Sequence, residues 1–129
     1  MIKLNRLMHA GLIVSDLERS RAFYEGVLGL KVNPYRPNLS FEGIWYETGD
    51  DTQIHLMVVP NPYAEVERPA HGGRDYHLAL SVDDVAPIRE QLDAAGVAYT
   101  LSMSGRAALF CRDPDGNALE FSAVKQVSA

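Results

Sequence analysis

His9-Ala10-Gly11-Leu12-Ile13-Val14-Ser15-Asp16-Leu17 returns further along the chain as His77-Leu78-Ala79-Leu80-Ser81-Val82-Asp83-Asp84-Val85. The offset, 77 − 9, is 68 residues. Each copy opens on a histidine, runs through a short apolar stretch of strand character and ends on an acidic helix start. A second pair of segments lines up at nearly the same offset: Ile54-His55-Leu56 with Leu119-Glu120-Phe121, where 120 − 55 is 65. A period of this length is too long for a solenoid repeat and describes a duplicated module of several elements.

Between these anchors each half reads in the same order. In the first half, His9 to Val14 is a strand. Ser15 with Glu18 has the form of a capping box, and Leu17, Ser20, Phe23, Tyr24, Val27 and Leu28 recur at helical spacing up to a Gly29 cap. Leu30 to Asn33, Phe41 to Thr48 and Gln53 to Val59 are strands, the last two joined by a Gly49-Asp50-Asp51 turn. Pro60 to Arg74, with three prolines and two glycines, is a linker long enough to cover a site. In the second half, Tyr76 to Val82 is a strand. Asp83 or Asp84 caps a helix with Pro87 in its first turn, Ile88, Leu92 and Ala95 as its apolar stripe and Gly96 as its cap. Val97 to Leu101, Ala107 to Cys111 and Ala118 to Ala123 complete the strands, the last two around the Asp113-Pro114-Asp115-Gly116-Asn117 turn. The expected organisation is a single α+β domain of two tandem βαβββ modules: module one 1–59, linker 60–74, module two 75–124 and a loose tail 125–129.

Composition narrows the classes of function. At 129 residues, with 47% hydrophobic and 22% charged residues, the chain suits a globular domain with a real core. A net charge of −5 and the lack of a basic stripe argue against a nucleic-acid partner. A lone cysteine, Cys111, allows no intrachain disulfide, and no apolar run approaches the ~20 residues of a membrane span. A cytoplasmic location and no membrane partner are expected.

Strand parity gives the duplication a chemical meaning. His9, Gly11 and Ile13 share one side of the first strand; Gln53, His55 and Met57 one side of the fourth; His77, Ala79 and Ser81 one side of the fifth. In the last strand Glu120 lies opposite Leu119 and Phe121. The wholly apolar sides pack on the helices, which turns His9, His55, His77 and Glu120 to the other face. A carboxylate in an apolar strand costs free energy unless it is paired, hydrogen-bonded or metal-bound. Imidazole and carboxylate donors suit Zn, Ni, Fe, Mn or Co as the divalent ion. His9, His77 and Glu120 alone make a two-His, one-carboxylate set, and His55 extends it to three His and one Glu. His71, in the linker, is expected to be exposed. Cys111 is expected to face the core or its hairpin, Arg36, Arg106 and Arg112 to be solvated or salt-bridged, and Trp45 and Tyr46 to serve packing.

With these residues in place the chain resembles the vicinal oxygen chelate superfamily, which holds glyoxalase I, bleomycin resistance proteins, extradiol dioxygenases and fosfomycin-resistance thiol transferases. His9 through Leu30, with Asp16-Leu17, Phe23-Tyr24 and Leu28-Gly29-Leu30, resembles the family's opening, and Asp113 through Glu120 resembles its closing motif. The resemblance implies an incomplete mixed-sheet barrel around a divalent metal held by His9, His55, His77 and Glu120. It also implies a homodimer, in which modules pair within one chain or between two. Glyoxalase I has a glutamate where this chain has His55, which leaves Glu120 as the carboxylate base. The function so implied is a metal-dependent glyoxalase-like lyase or isomerase acting on an oxygenated small molecule, with Glu120 and His55 as catalytic groups. An Fe(II) extradiol-type dioxygenase, a thiol transferase of antibiotic resistance and a non-catalytic small-molecule sequestering protein are the alternatives.

Overall fold

The structure, a computed structural model, describes residues 1–123. The expected loose tail, 125–129, lies outside the described residues. The strands are β1 (His9–Val14), β2 (Lys31–Val32), β3 (Gly43–Glu47), β4 (Gln53–Val58), β5 (His77–Ser81), β6 (Tyr99–Leu101), β7 (Ala108–Arg112) and β8 (Ala118–Ser122). They form two four-stranded sheets, ordered β1-β4-β3-β2 and β5-β8-β7-β6. In each sheet the first strand of the module runs parallel to the last, and the other pairs are antiparallel. The two sheets therefore repeat one topology, as a duplicated βαβββ module requires, and neither closes on itself.

The helices follow from their ends. α1 (Leu17–Arg21) is capped by Asp16, whose carboxylate accepts from the Arg19 N–H at 3.0 Å. The capping box expected of Ser15 and Glu18 does not form, because the Ser15 hydroxyl donates instead to Asp115 at 2.6 Å. α1 continues as a wider π turn over Ala22–Val27, closed by Leu28 N–H donating to the Phe23 carbonyl. The extra residue per turn lets the adjacent side chains of Phe23 and Tyr24 both face the core. α2 (Ala86–Ala95) starts where Asp84 accepts from Ala86 N–H and stops at Gly96, left-handed at φ 69°. Leu92 is its buried residue, with Ile88 and the preceding Val85 partly buried against the core; Ala95, expected in that stripe, is exposed.

One core serves both modules. Val14, Tyr24, Tyr46, Ile54 and Leu56 from the first half pack in the same cluster as Leu92, Leu109, Cys111, Leu119 and Phe121 from the second. The Asp113–Asn117 turn locks the halves together. Buried Asp113 accepts from the Tyr24 hydroxyl at 2.7 Å, from Asn117 Nδ2 at 2.9 Å and from two backbone N–H groups of its own turn. Asn117 Nδ2 also donates across to the Ile13 carbonyl at 3.0 Å, and Asp115 receives Ser15 and Arg19.

These contacts fix how the two edge strands lie. Asn117 stands just before the β8 residue paired with His77, so the start of β5 sits beside the end of β1. At the other end, His9 and Ala10 line a groove with Leu78, Ala79, Leu80 and Ser81. β1 and β5 thus run side by side in opposite directions.

Candidate functional site

Each sheet presents two of the four residues singled out in the sequence. In the first, the hairpin at Gly49–Asp51 pairs Trp45 with His55, and parallel pairing sets His9 opposite Gln53. The His55 ring is stacked on both sides: on Trp45 at 4.0 Å between centroids and 1° between planes, and on His9 at 4.0 Å and 12°. Its Nε2 lies 2.7 Å from Gln53 Oε1, which can only accept, so Nε2 carries the proton. Burial, reinforced by the neighbouring His9 and Arg36, lowers the pKa of His55 and favours the neutral ring. The groove above is ≈ 640 Å³, lined by Arg6, Met8, Asn33 and Trp45 as well as the two histidines.

In the second sheet, Glu120 is 5% exposed and is gripped at both oxygens. His77 Nε2 lies 3.2 Å from Oε1, and Arg106 Nη2 lies 3.5 Å from Oε2. His77 Nδ1 donates to the Asp75 carbonyl at 2.9 Å. That bond pins the tautomer and turns Nε2 toward Glu120, the arrangement by which a backbone carbonyl orients a metal-ligating histidine. Asp75 itself is fixed by Arg68 and Arg112 at 2.8 Å each.

His71 is a correction. It was expected to be exposed, but it is half-buried, with Nδ1 2.7 Å from the Thr100 hydroxyl and its ring edge-on to Phe110 at 4.7 Å. Phe110 also meets His77 edge-on at 5.4 Å, so the linker turn Gly72–Arg74 forms a wall of the Glu120 half. Glycine makes this possible: a Cβ on Gly73 would stand 2.7 Å from His71 Nε2 and 3.1 Å from Phe110. Cys111 is in the core as expected, and burial, with Asp113 beside it, pushes its thiol up to about 12. Arg112 is structural, holding Asp75 and the Gly116 and Pro69 carbonyls. Arg36 is spent on the Phe41 carbonyl and ring.

The two pairs do not meet within the chain. His9 opens β1, His77 opens β5, and the strands run in opposite directions, which separates the pairs by roughly one strand length, about 17 Å at ~3.3 Å per residue. Among the described residues no three His, Cys, Asp or Glu side chains gather closely enough to hold a metal ion. The donor types fit a divalent ion as two half-sites. His77 and Glu120 are already in reach of one ion. His9 and His55 are not: an imidazole binds a metal in its own plane, and two nearly parallel planes 4.0 Å apart share no such point, so one ring must rotate.

This duplicated architecture agrees with what comparison finds. The model of the glyoxalase/bleomycin resistance protein/dioxygenase superfamily matches residues 6–121. The chain belongs to that superfamily. Similar relatives within the superfamily include the lactoylglutathione lyase of Salmonella typhimurium, 34% identical over 93% of each chain, and that of Haemophilus influenzae, 33% identical over 90% of each. Glyoxylase I 4 of Arabidopsis thaliana is 27% identical over 92% of this chain and 71% of its own length. Among solved superfamily structures, a putative glyoxalase family protein of Bacillus anthracis superposes with a TM-score of 0.74 at 24% identity, covering 94% of this chain and 96% of that one. The fosfomycin resistance protein FosX of Listeria monocytogenes, as an E126Q mutant complexed with Mn(II), superposes with a TM-score of 0.73 at 19% identity over 95% of each chain. No helix among the described residues of this superfamily member is long and apolar enough to cross a membrane.

Proposed function

We propose that the chain is a metal-dependent, glyoxalase-like lyase or isomerase whose site is shared between two copies. His9 and His55 of one copy and His77 and Glu120 of the other would be its ligands. The observation that carries this reading is the His77–Glu120 pair, with Nδ1 of the histidine pinned by a backbone carbonyl and Nε2 turned to a buried carboxylate. A bound divalent ion would supply Lewis acidity toward vicinal oxygens of the substrate.

The chain's own residues supply the rest. Glu120 is the carboxylate placed to take a proton from the carbon next to a carbonyl and return it to the neighbouring carbon. Burial of Glu120 against Phe110 and His77 excludes water from that transfer. The resemblance puts His55 where glyoxalase I has a second carboxylate; with its Nε2–H held by Gln53, its remaining nitrogen, Nδ1, would hold the ion and Glu120 is left as the base. Trp45 and Gln53 hold that ring in orientation. Lactoylglutathione, named by the relatives, is the first substrate to test.

Elemental analysis of protein purified without oxygen should find close to one divalent ion per chain; a protein without stoichiometric metal ends this reading. Sharing of the site is tested by mixing. His9→Ala/His55→Ala and His77→Ala/Glu120→Gln are each expected to be inactive, and co-expression should restore activity through a heterodimer with one intact site. Failure to complement would exclude the shared site.

A further inference from the structure

Of the residues ahead of β1, Arg6 and Met8 line the groove above His9 and His55, and Met1 to Asn5 do not. Met1 to Met8 form no helix or strand, and all are exposed. Ile2 and Leu4 are 89% and 88% exposed, with Lys3 between them. Arg6 anchors the base of this arm by donating to the Asp51 carbonyl at 2.8 Å. A second unused feature is a cleft of ≈ 450 Å³ in the linker, lined by Tyr63, Val66, Glu67, Pro69 and Tyr76. Its floor is rigid, since Asp75 is clamped by Arg68 and Arg112. Tyr76 is 93% exposed and Tyr63 62%. Glu67 on the rim and Glu65 beside it make no ion pair among the described residues.

The duplication makes the two features equivalent. The arm precedes His9 as the cleft precedes His77, and Met8 aligns with Tyr76. Within one chain they lie apart, because β1 and β5 run in opposite directions. The shared site proposed above changes that relation between two chains. Two histidines on one ion, with N–metal bonds near ~2.1 Å, hold their Cα atoms within roughly 13 Å. In such a site Met8 of one copy would lie within about 20 Å of Tyr76 of the other. From there six extended residues span about 20 Å, enough to reach the cleft.

We infer that residues 2–5 dock in the linker cleft of a second copy of this chain. Ile2 and Leu4 enter between Tyr63, Val66 and Tyr76, and Lys3 lies against Glu67. Apolar arm meets apolar cleft, and the arm's positive charge meets the rim's negative charge. The inference rests on the shared-site reading.

A covalent cross-link tests it. Cys111 is buried and gives little background. Leu4→Cys and Val66→Cys chains carrying different tags are co-expressed and treated with a short bismaleimide. A covalent heterodimer is expected from the mixture and from neither variant alone. Sedimentation equilibrium of Ile2→Ser/Leu4→Ser should show the dimer Kd raised at least tenfold. If the protein is dimeric and the mixing experiment restores activity, yet neither the cross-link nor the Kd change is seen, the arm inference falls and the shared site stands. An intramolecular cross-link in monomeric Leu4→Cys/Val66→Cys would also overturn it. A monomeric wild-type protein would overturn both.

Discussion

At the scale of single residues, Glu120 and Cys111 are two buried ionisable groups with opposite futures. Glu120 is paired on both oxygens, with His77 and Arg106. Glu120→Gln keeps the volume and removes the proposed base, so metal-dependent turnover should fall at least ~100-fold, the scale of a lost general base. Circular dichroism should be unchanged; a variant with wild-type rate would remove Glu120 from the chemistry. Cys111 lies among core side chains, and a thiol pushed up to about 12 is almost entirely protonated at neutral pH. The folded protein should resist a thiol reagent at pH 8 and react fully in denaturant. Stoichiometric labelling of the native state would contradict the burial.

At the scale of elements, local chemistry was legible and close approach was not. Residues five before and five after Asp50 are Trp45 and His55, so the turn residues alone specify their pairing. The stack that follows was within reach of the sequence, although packing was the expectation for Trp45. The helix ends depended on partners. Ser15 is a good N-cap by type, but Asp115, a hundred residues away, takes its hydroxyl and leaves Asp16 to cap. The linker turn likewise owes its place to two glycines that nothing local explains. Gly73→Ala would drive His71 off Phe110, and overpacking of this kind costs ~1–3 kcal/mol, readable as a lower urea midpoint. Asp75, at the join of linker and β5, gives a pH test. Burial alone would raise its pKa, but hydrogen bonds from Arg68 and Arg112 outweigh this and hold it at about 2. A lowered carboxylate stabilises the fold above its unfolded value of 3.8, and that contribution is lost as pH falls toward 2. Over that window wild type should lose more stability than Asp75→Asn, and parallel curves would contradict the assignment.

At the scale of the molecule, the duplication and the order of elements in each half were readable from two aligned segments, because periodicity and parity are properties of each half. The relation between halves was not readable. It depends on Tyr24, Asp113, Asn117 and Ile13 meeting across the core, contacts that no local pattern encodes. The same four donors that line up in sequence are thereby sent to opposite ends of neighbouring strands. Tyr24→Phe removes one donor from the buried carboxylate of Asp113 and should cost about 1.5–3 kcal/mol in equilibrium unfolding. A change within ~0.5 kcal/mol would mean that the clamp contributes little.

The stack of Trp45 on His55 gives the molecule a built-in optical signal. Trp45 is the sole tryptophan in the chain, and its indole lies flat against the ring that is pressed on its other side by His9. Any ligand that rotates His9 or His55 alters the surroundings of the one dominant fluorophore. Emission from the unlabelled protein then follows occupancy directly, including for molecules that bind without being turned over.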